Sequence, residues 1–152
     1  RNIYKRQLHV NPDDLRIGVL GIINQAKGAE LIKKLVKYID ETGQNAKVIL
    51  IGLINIPINS PHFEQTGRYD KTELEKIVLE KEIDIFFIPS IWPETFSYTA
   101  EEIMRMGYPL AVFNLGAPAE RVKKYNRGMV LDLDSSMEEL FENLKAFGQA
   151  AG

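Results

Sequence analysis

Two glutamates, Glu94 and Glu102, are the strongest candidates for chemistry in this sequence. Glu94 lies in the aromatic and polar stretch 89–97 (PSIWPETFS), and Glu102 lies in the helical pattern that follows, eight residues later. Eight residues are about 2.2 turns of α-helix, which places the two carboxylates on roughly one side. Each carboxylate can accept hydrogen bonds from two vicinal hydroxyls, such as those of a sugar ring or a ribose. The same spacing is common on solvated helix faces, and we interpret Glu101 as a solvated charge of that kind.

A lysine and a glycine, Lys27 and Gly28, form a second candidate site at the start of another helical pattern. A lysine there can neutralise a diphosphate, and a glycine allows the backbone to approach a ligand closely. A surface lysine without a ligand is the alternative interpretation. Gly18 and Gly21 are not followed by the third glycine of a G-x-G-x-x-G pattern, so a dinucleotide-binding fingerprint is not indicated.

Three further features are weaker candidates. The residues after Glu94 are expected to begin a helix, whose first N–H groups and dipole favour a bound phosphate. Gly116 follows an apolar run and is expected to permit a close approach near the ligand. Gly67, Arg68 and Tyr69 follow the third apolar run and are candidates for the edge of a base pocket, with a loop glycine and an arginine lying along the protein surface as the favoured alternative. Glu120 is expected to cap a short helix rather than to touch a substrate.

Six short apolar runs predict the β-strands that position these residues. Each run is apolar on both faces, as is typical of parallel strands buried between two layers of helices. The runs lie at 16–23, 47–54, 63–66, 83–88, 110–114 and 129–133.

Helical patterns separate these runs. Apolar residues recur at helical spacing from Leu31 to Ile39, and Gly43 is expected to end that helix. The remaining helices are expected after an N-cap box formed by Asp70 and Glu73, from Ala100 to Gly107, at 118–122, and after a capping box formed by Ser135 and Glu138.

The alternation of strands and helices predicts the fold class. It indicates an α/β fold with a doubly wound, Rossmann-like, six-stranded parallel sheet and helices on both faces. The commonest strand order for such a sheet is 3-2-1-4-5-6, and ligands bind beyond the carboxyl ends of strands 1 and 4, where the connections diverge. The loops 24–28 and 89–97 border that crevice, so the topology is expected to bring Lys27 and Glu94 to the same place.

Composition and charge exclude several classes of protein. The 152 residues carry a net charge of −2, which argues against a nucleic-acid-binding protein. The chain has no cysteine, which excludes disulfides and thiolate metal sites, and its two histidines are not spaced as metal ligands. No apolar run reaches the roughly 20 residues of a membrane span, and no signal peptide is visible, so a cytoplasmic protein is expected.

The stretch 88–122, IPSIWPETFSYTAEEIMRMGYPLAVFNLGAPAERV, resembles the C-terminal, donor-nucleotide-binding domain of retaining glycosyltransferases with the GT-B fold, in the group 1 glycosyltransferase family. The match extends back to Lys27 and Gly28 and the strand before them, so it covers most of the chain. The resemblance implies that Glu94 holds hydroxyls of the donor sugar and that Glu102 holds the ribose. It further implies that Lys27 binds the diphosphate.

The resemblance also assigns roles to backbone groups, and the chain departs from the family at two positions. It implies that the amides of Phe96, Ser97 and Tyr98 face the donor sugar and the diphosphate. The family often has glycine where Ser97 stands, which a backbone contact tolerates. The family usually has an arginine five residues before the lysine, where this chain has Ile22. Arg68, or a basic residue from another domain, would then have to complete the diphosphate clamp.

A function for the whole protein follows from the resemblance as an expectation. Residues 1–152, whose ends we interpret as cuts, would be a single domain and the C-terminal half of a two-domain hexosyltransferase-type enzyme, inactive without its N-terminal acceptor domain. The enzyme would use a nucleotide-diphosphate sugar and transfer the sugar with retention to a glycan or other acceptor, without a metal ion or other cofactor. Polysaccharide biosynthesis is expected, in the cytoplasm or peripheral to the inner face of the membrane, with an acceptor that is membrane-associated.

Two alternatives stay open at this point. A sugar-nucleotide epimerase of the same GT-B architecture depends on histidine and acidic residues, and the two histidines of this chain count against it. A non-enzymatic Rossmann-like binding module of the receiver or sugar-binding type is the other alternative. A receiver needs an acidic pair after strand 1, where this chain has Ile22, Ile23 and Asn24.

Overall fold

A parallel sheet of six strands organises the chain. The structure is a computed structural model that describes residues 2–6, 9, 11, 13–92 and 97–150. The strands run in the order β3-β2-β1-β4-β5-β6, and every neighbouring pair is parallel, as the sequence predicts. The strands are β1 (Leu15–Ile23), β2 (Ala46–Ile54), β3 (Phe63–Gln65), β4 (Ile85–Ile88), β5 (Leu110–Phe113) and β6 (Gly128–Leu131).

The sheet opens between β1 and β4. β1 pairs with β2 along all nine residues of each strand, whereas β1 pairs with β4 only through Ile17 opposite Ile85 and Gly18 opposite Phe86. The chain turns from β1 towards β2 and β3 on one side, and from β4 towards β5 and β6 on the other. The carboxyl ends of β1 and β4 therefore border a crevice at the switch point, where open α/β sheets bind their ligands.

Helices cover both faces of the sheet, as predicted. α1 (Ala29–Thr42) and α5 (Met137–Ala150) bury apolar side chains such as Ile32, Leu35 and Phe141 against one face. The other face packs against α2 (Leu74–Glu80), α3 (Tyr98–Met106) and α4 (Gly116–Lys123). Among the described residues, no helix combines the length and apolar character that a membrane span requires.

Two local predictions about helix starts need correction. Asp70 does not cap an α-helix directly, because its carboxylate accepts a hydrogen bond from the Thr72 amide (2.9 Å) and caps a short 3-10 turn (Lys71–Glu73) before α2. The capping box of α5 consists of Ser136 and Glu139, one residue later than expected. The hydroxyl of Ser135 instead donates to the Asp132 carbonyl at 2.6 Å.

Candidate functional site

A tight turn after β1 carries the predicted lysine. The Lys27 amide donates to the backbone carbonyl of Asn24 (3.1 Å) and to the Asn24 side-chain oxygen (3.0 Å), and the Ala29 amide donates to the same backbone carbonyl (3.0 Å). These hydrogen bonds hold Lys27 at an exposed corner beside the first residue of α1. The position of the turn at the carboxyl end of β1 places Lys27 on the crevice.

Gly28 joins the two loops that border the crevice. Its φ of 95° is in the left-handed region, and a Cβ atom there would lie 2.2 Å from the Pro89 carbonyl oxygen. The backbone of the loop after β1 thus packs directly on the start of the loop after β4, which only glycine permits. The close approach visible at Gly28 is to Pro89, and a contact between Gly28 and a ligand stays a prediction.

One cavity beyond the carboxyl ends of β1 and β4, the lysine cavity, has a volume of about 120 Å³. Its walls come from the ends of β1 and β4 and from the start of α3, and they include Lys27, Ser90, Ser97 and Thr99. Ser97 caps α3, because its hydroxyl oxygen accepts a hydrogen bond from the Ala100 amide at 3.1 Å. The positive end of the helix dipole therefore adjoins a cavity that also contains a lysine, which is a favourable place for an anion.

Glu102 and Glu101 face different neighbours, although they are adjacent on α3. The half-buried Glu102 lies close to Tyr69, in the loop after β3: burial raises the pKa of the Tyr69 phenol, and the negative charge of Glu102 raises it further. Glu101 points towards α4 and accepts a hydrogen bond from Arg121 Nη2 at 2.9 Å. Our interpretation of Glu101 as a solvated charge is wrong, because this ion pair holds its carboxylate and its side chain is only 23% exposed.

The second cavity, the tyrosine cavity, has a volume of about 270 Å³. It lies between the ends of β1 and β2 and the segment 68–71, and it contains Tyr69. The two cavities share Gly21 and Ile22, so they adjoin each other along the end of β1. An elongated ligand with an anionic part and a planar part can extend from one cavity into the other.

Paired glycines form the floor of the tyrosine cavity. Gly21 and Gly52 are opposite each other in the register of β1 and β2, with φ angles of 120° and 143°. A Cβ atom on Gly52 would lie 1.9 Å from the Gly21 carbonyl oxygen, whereas the nearest atom to one on Gly21 is Thr99 Oγ1, at 3.8 Å. The absence of side chains leaves room above the strands. The sequence reasoning missed this pair, although each glycine stands two residues before the end of its strand.

The described part of the chain places the remaining predicted residues as follows. Arg68 is exposed and lines the tyrosine cavity, beside Tyr69. Tyr98 is 77% exposed at the start of α3. Gly116 is the first residue of α4, with a φ of 64°, and it lines neither cavity. Glu94 and Phe96 lie outside the described residues.

Ile22 lines both cavities, and its side chain is unusually exposed for a large apolar residue. Its side chain is 61% exposed, and Trp92, on the loop after β4, is 62% exposed. Large apolar side chains at the rim of a crevice can cover the flat face of a ligand. Ile22 brings no positive charge to the border of the cavities, so the cations there are Lys27 on one side and Arg68 and Lys71 on the other.

Neither histidine belongs to this edge of the sheet. His9 lies 2.8 Å from the carboxylate of Asp84, at the amino end of β4, and His62 pairs with Asp40. Within the described ranges, no three histidine or carboxylate side chains come together as a metal site would require. Among the described residues, the polar side chains that line the two cavities are instead cations and hydroxyl groups: Lys27, Arg68, Tyr69, Lys71, Ser90, Ser97 and Thr99.

Comparisons with known proteins follow this geometry. The model of the family described as glycosyl transferases group 1 matches residues 1–148. No curated protein sequence matches the chain at a significant level.

Solved structures resemble the fold over nearly the whole chain. The catalytic domain of starch synthase IV from Arabidopsis thaliana, bound to ADP and acarbose, superimposes with a TM-score of 0.67 at 18% identity, over 93% of this chain and 33% of that one. HepE from Anabaena, in complex with UDP and glucose, gives 0.68 at 15% identity, over 88% and 38%. The C-terminal domain of the group 1 glycosyl transferase LpcC from Francisella tularensis gives 0.60 at 18% identity, over 90% and 80%.

The sequence identity and the share of each chain that is covered determine what these similarities show. At identities of 15% to 18% they establish the fold and nothing further. The chain spans about a third of the length of the starch synthase domain and most of the length of the LpcC domain.

Proposed function

Because the chain belongs to the glycosyl transferases group 1 family, we propose that its crevice binds the nucleoside diphosphate part of a sugar donor. The observation that carries the proposal is the pair of adjoining cavities at the switch point. One adjoins Lys27 and the positive end of α3, and the other adjoins Tyr69 beside Glu102. This arrangement offers an anion site next to a carboxylate that can hold a ribose.

The roles of the residues follow from the donor's chemistry. The diphosphate lies in the lysine cavity, where Lys27 and the first amides of α3, those of Ser97 and Tyr98 and the preceding Phe96, meet its charge. The Glu102 carboxylate accepts hydrogen bonds from the two ribose hydroxyls. Glu94, which lies between β4 and α3 in the sequence, holds hydroxyls of the donor sugar.

Two glycines and an arginine complete the proposed donor site. Gly28 fixes the loop of Lys27 against Pro89. Gly116 brings the start of α4 near the donor sugar, and Arg68 lies beside the nucleotide base. These roles rest on the positions of the residues around the crevice and on the family.

Bond cleavage in this proposal depends on stabilising the leaving group. As the bond between the sugar and the diphosphate breaks, negative charge grows on the departing oxygen. A preorganised cation and helix amides stabilise that charge, which is often the largest single contribution to catalysis. In this proposal Lys27 and the start of α3 supply that stabilisation, and the reaction requires no metal ion.

The whole protein, in this proposal, is a retaining hexosyltransferase that passes the sugar to a glycan or similar acceptor in polysaccharide biosynthesis. The acceptor is held by an N-terminal domain that closes over the crevice, excludes water and aligns the reactants. The protein acts in the cytoplasm, peripheral to the membrane where its acceptor is membrane-associated. A chain with only the donor wall binds the donor and transfers no sugar.

The test compares a diphosphate with a monophosphate. Lys27→Ala should weaken binding of a nucleoside diphosphate about tenfold, or about 1.4 kcal/mol, and should weaken the matching monophosphate less, because the lysine meets the second phosphate. Calorimetric titration measures both affinities, and Lys33→Ala on the exposed side of α1 is the control. An equal loss for both nucleotides would contradict the assignment of Lys27.

A radiolabelled donor assay on this chain tests the remainder of the proposal. No sugar transfer is expected, since a single wall positions no acceptor. Robust transfer by these 152 residues alone would contradict the need for a second domain.

A further inference from the structure

Among the described residues, the side chains that line the tyrosine cavity include two cations and no carboxylate. Its polar side chains are the Arg68 guanidinium, the Tyr69 phenol and the Lys71 ammonium, while the rest of the lining is glycine and aliphatic. Guanidinium and ammonium groups only donate hydrogen bonds. The cavity therefore offers donors in excess and calls for a ligand rich in acceptors.

These two cations differ from several others in the protein, which have carboxylate partners. Lys47 and Lys81 both pair with Glu64, and Arg121 pairs with Glu101. Arg68 and Lys71, by contrast, form no side-chain hydrogen bond or ion pair with another described residue. Their charge is available to a ligand.

The nearest acidic residue in sequence does not neutralise this pair. Asp70, between Arg68 and Lys71 along the chain, accepts hydrogen bonds from the Thr72 amide (2.9 Å) and the Thr72 hydroxyl (2.8 Å). That carboxylate is committed to capping the 3-10 turn, and it does not line the cavity. Glu102, which lies near Tyr69, is reserved for the ribose in the function proposed above.

We propose that the tyrosine cavity receives the base of the donor nucleotide and selects a base with a carbonyl oxygen, uracil or guanine, over adenine. This inference rests on the proposed function. The carbonyl oxygens of uracil, and the carbonyl oxygen and adjacent ring nitrogen of guanine, accept hydrogen bonds from Arg68 and Lys71. Adenine has ring-nitrogen acceptors, but where the other two bases carry a carbonyl oxygen it carries an exocyclic amine, a donor that would face these donors unpaired.

The shape of the cavity agrees with a planar base. The floor at Gly21 and Gly52 carries no side chains, so a flat ring can lie close to the ends of β1 and β2. Ile22 and Leu53 supply apolar surface for the face of the ring. A volume of about 270 Å³ is ample for a pyrimidine.

The experiment is a set of titrations of this chain with UDP, GDP and ADP at one salt concentration, by calorimetry. UDP and GDP should each bind about tenfold more tightly than ADP. In the double variant Arg68→Met, Lys71→Met, the preference for UDP over ADP should fall below about twofold, because the donors that discriminate the bases are gone. The control Lys76→Met removes an exposed lysine on α2 and should leave every affinity unchanged.

The other outcomes separate the two levels of the proposal. ADP binding as tightly as UDP and GDP overturns the base selection and leaves the donor site intact. A double variant that weakens UDP and ADP by the same factor also overturns it, since the two cations would then meet the phosphates common to both nucleotides. Failure of all three nucleotides to bind contradicts the proposed function, and the base selection falls with it.

Discussion

The two ends of the parallel strands differ in how their charged side chains are paired. We call the side of the sheet at the amino ends of the strands the amino edge, and the side at their carboxyl ends the carboxyl edge. At the amino edge, Asp84 is buried against His9 and accepts a hydrogen bond from the Arg16 amide at 2.8 Å. Glu64 there holds two lysines. At the carboxyl edge, Arg68 and Lys71 have no such partner within the described residues, and the strands end in glycine-floored space.

This contrast shows that cavity volume alone does not locate a functional site. A cavity of about 450 Å³, larger than either cavity at the switch point, lies at the amino edge and includes His9, Lys47 and His62. Each of these side chains is already paired with a carboxylate of the same chain. Charges that are satisfied internally stabilise the fold, whereas charges left open at the switch point are available for a ligand.

The largest expected effect comes from the floor of the carboxyl edge. Gly52→Ala should lower the free energy of unfolding by about 4 kcal/mol, because the new Cβ would clash with the Gly21 carbonyl and the φ of 143° is strained for alanine. Gly43→Ala is the matched control: its φ of 66° is also positive, but nothing lies within 4 Å, so its cost should be about 1 kcal/mol. Urea unfolding measures both, and equal losses would show that the close approach of the strands is not what requires glycine.

The next effect tests the amino edge. Asp84→Ala should lower the free energy of unfolding by about 3 kcal/mol, since it leaves His9 and the Arg16 amide without their buried partner. Asp134→Ala, at an exposed position, should change it by less than about 0.5 kcal/mol. The nucleotide affinity of the folded Asp84→Ala protein should equal that of the wild type. A large loss of affinity would contradict the claim that the amino edge takes no part in binding at the carboxyl edge.

The adjacent glutamates of α3 sharpen the comparison within one helix. Glu102→Ala should weaken nucleoside diphosphate binding by about 1–3 kcal/mol, because the ribose hydroxyls lose their acceptor. Glu101→Ala breaks the pair with Arg121 and should cost about 0.5 kcal/mol of stability without changing the affinity. Calorimetry on the two variants decides the assignment, which is wrong if both glutamates affect binding alike.

The smallest effect is the pH dependence of the amino edge. The hydrogen bond from Lys81, aided by Lys47, holds the pKa of Glu64 below its ordinary 4.5 against the opposing effect of burial. A carboxyl group with a lowered pKa contributes stability above its unfolded pKa and loses that contribution as the pH falls through its folded pKa. The free energy of unfolding should therefore decrease as the pH is lowered below about 4.5, and it should decrease less steeply in Glu64→Gln. Denaturant unfolding between pH 3 and 6 measures the slope, and an unchanged slope in the variant would contradict the role of Glu64.

The sheet order was predictable because its signals are spread along the chain. Six apolar runs, alternating with helical patterns, and the right-handed crossover rule leave few topologies. The capping box of α5 was placed one residue early because 135–139 (SSMEE) satisfies the same pattern in two registers. The hydrogen bond of Ser135 to the Asp132 carbonyl selects the second register, and no sequence pattern shows it.

The candidate site was predictable only where a motif marks it. Lys27 lines the lysine cavity, because residues that follow parallel strands gather at the same ends of the strands. Glu102 lies near Tyr69, and its contact with a ribose stays a prediction. Tyr69 and Lys71 follow β3, which β2 separates from β1 in the sheet. Only the pairing of β1 with β2 brings these two residues to the end of β1. The ion pair of Glu101 likewise depends on how α3 and α4 lie together.

The most direct test of the central claim is an NMR titration of this chain with UDP. We expect weak binding, with a dissociation constant of about 0.1 to 1 mM or a free energy of about −4 to −5.5 kcal/mol, since a single wall leaves the site open to solvent. The shifted amides should lie at the carboxyl edge, at Lys27, Arg68, Ser97 and Glu102, with none near His62. Shifts centred on the amino-edge cavity, or no shifts with any common nucleoside diphosphate, would contradict a donor site at the ends of β1 and β4.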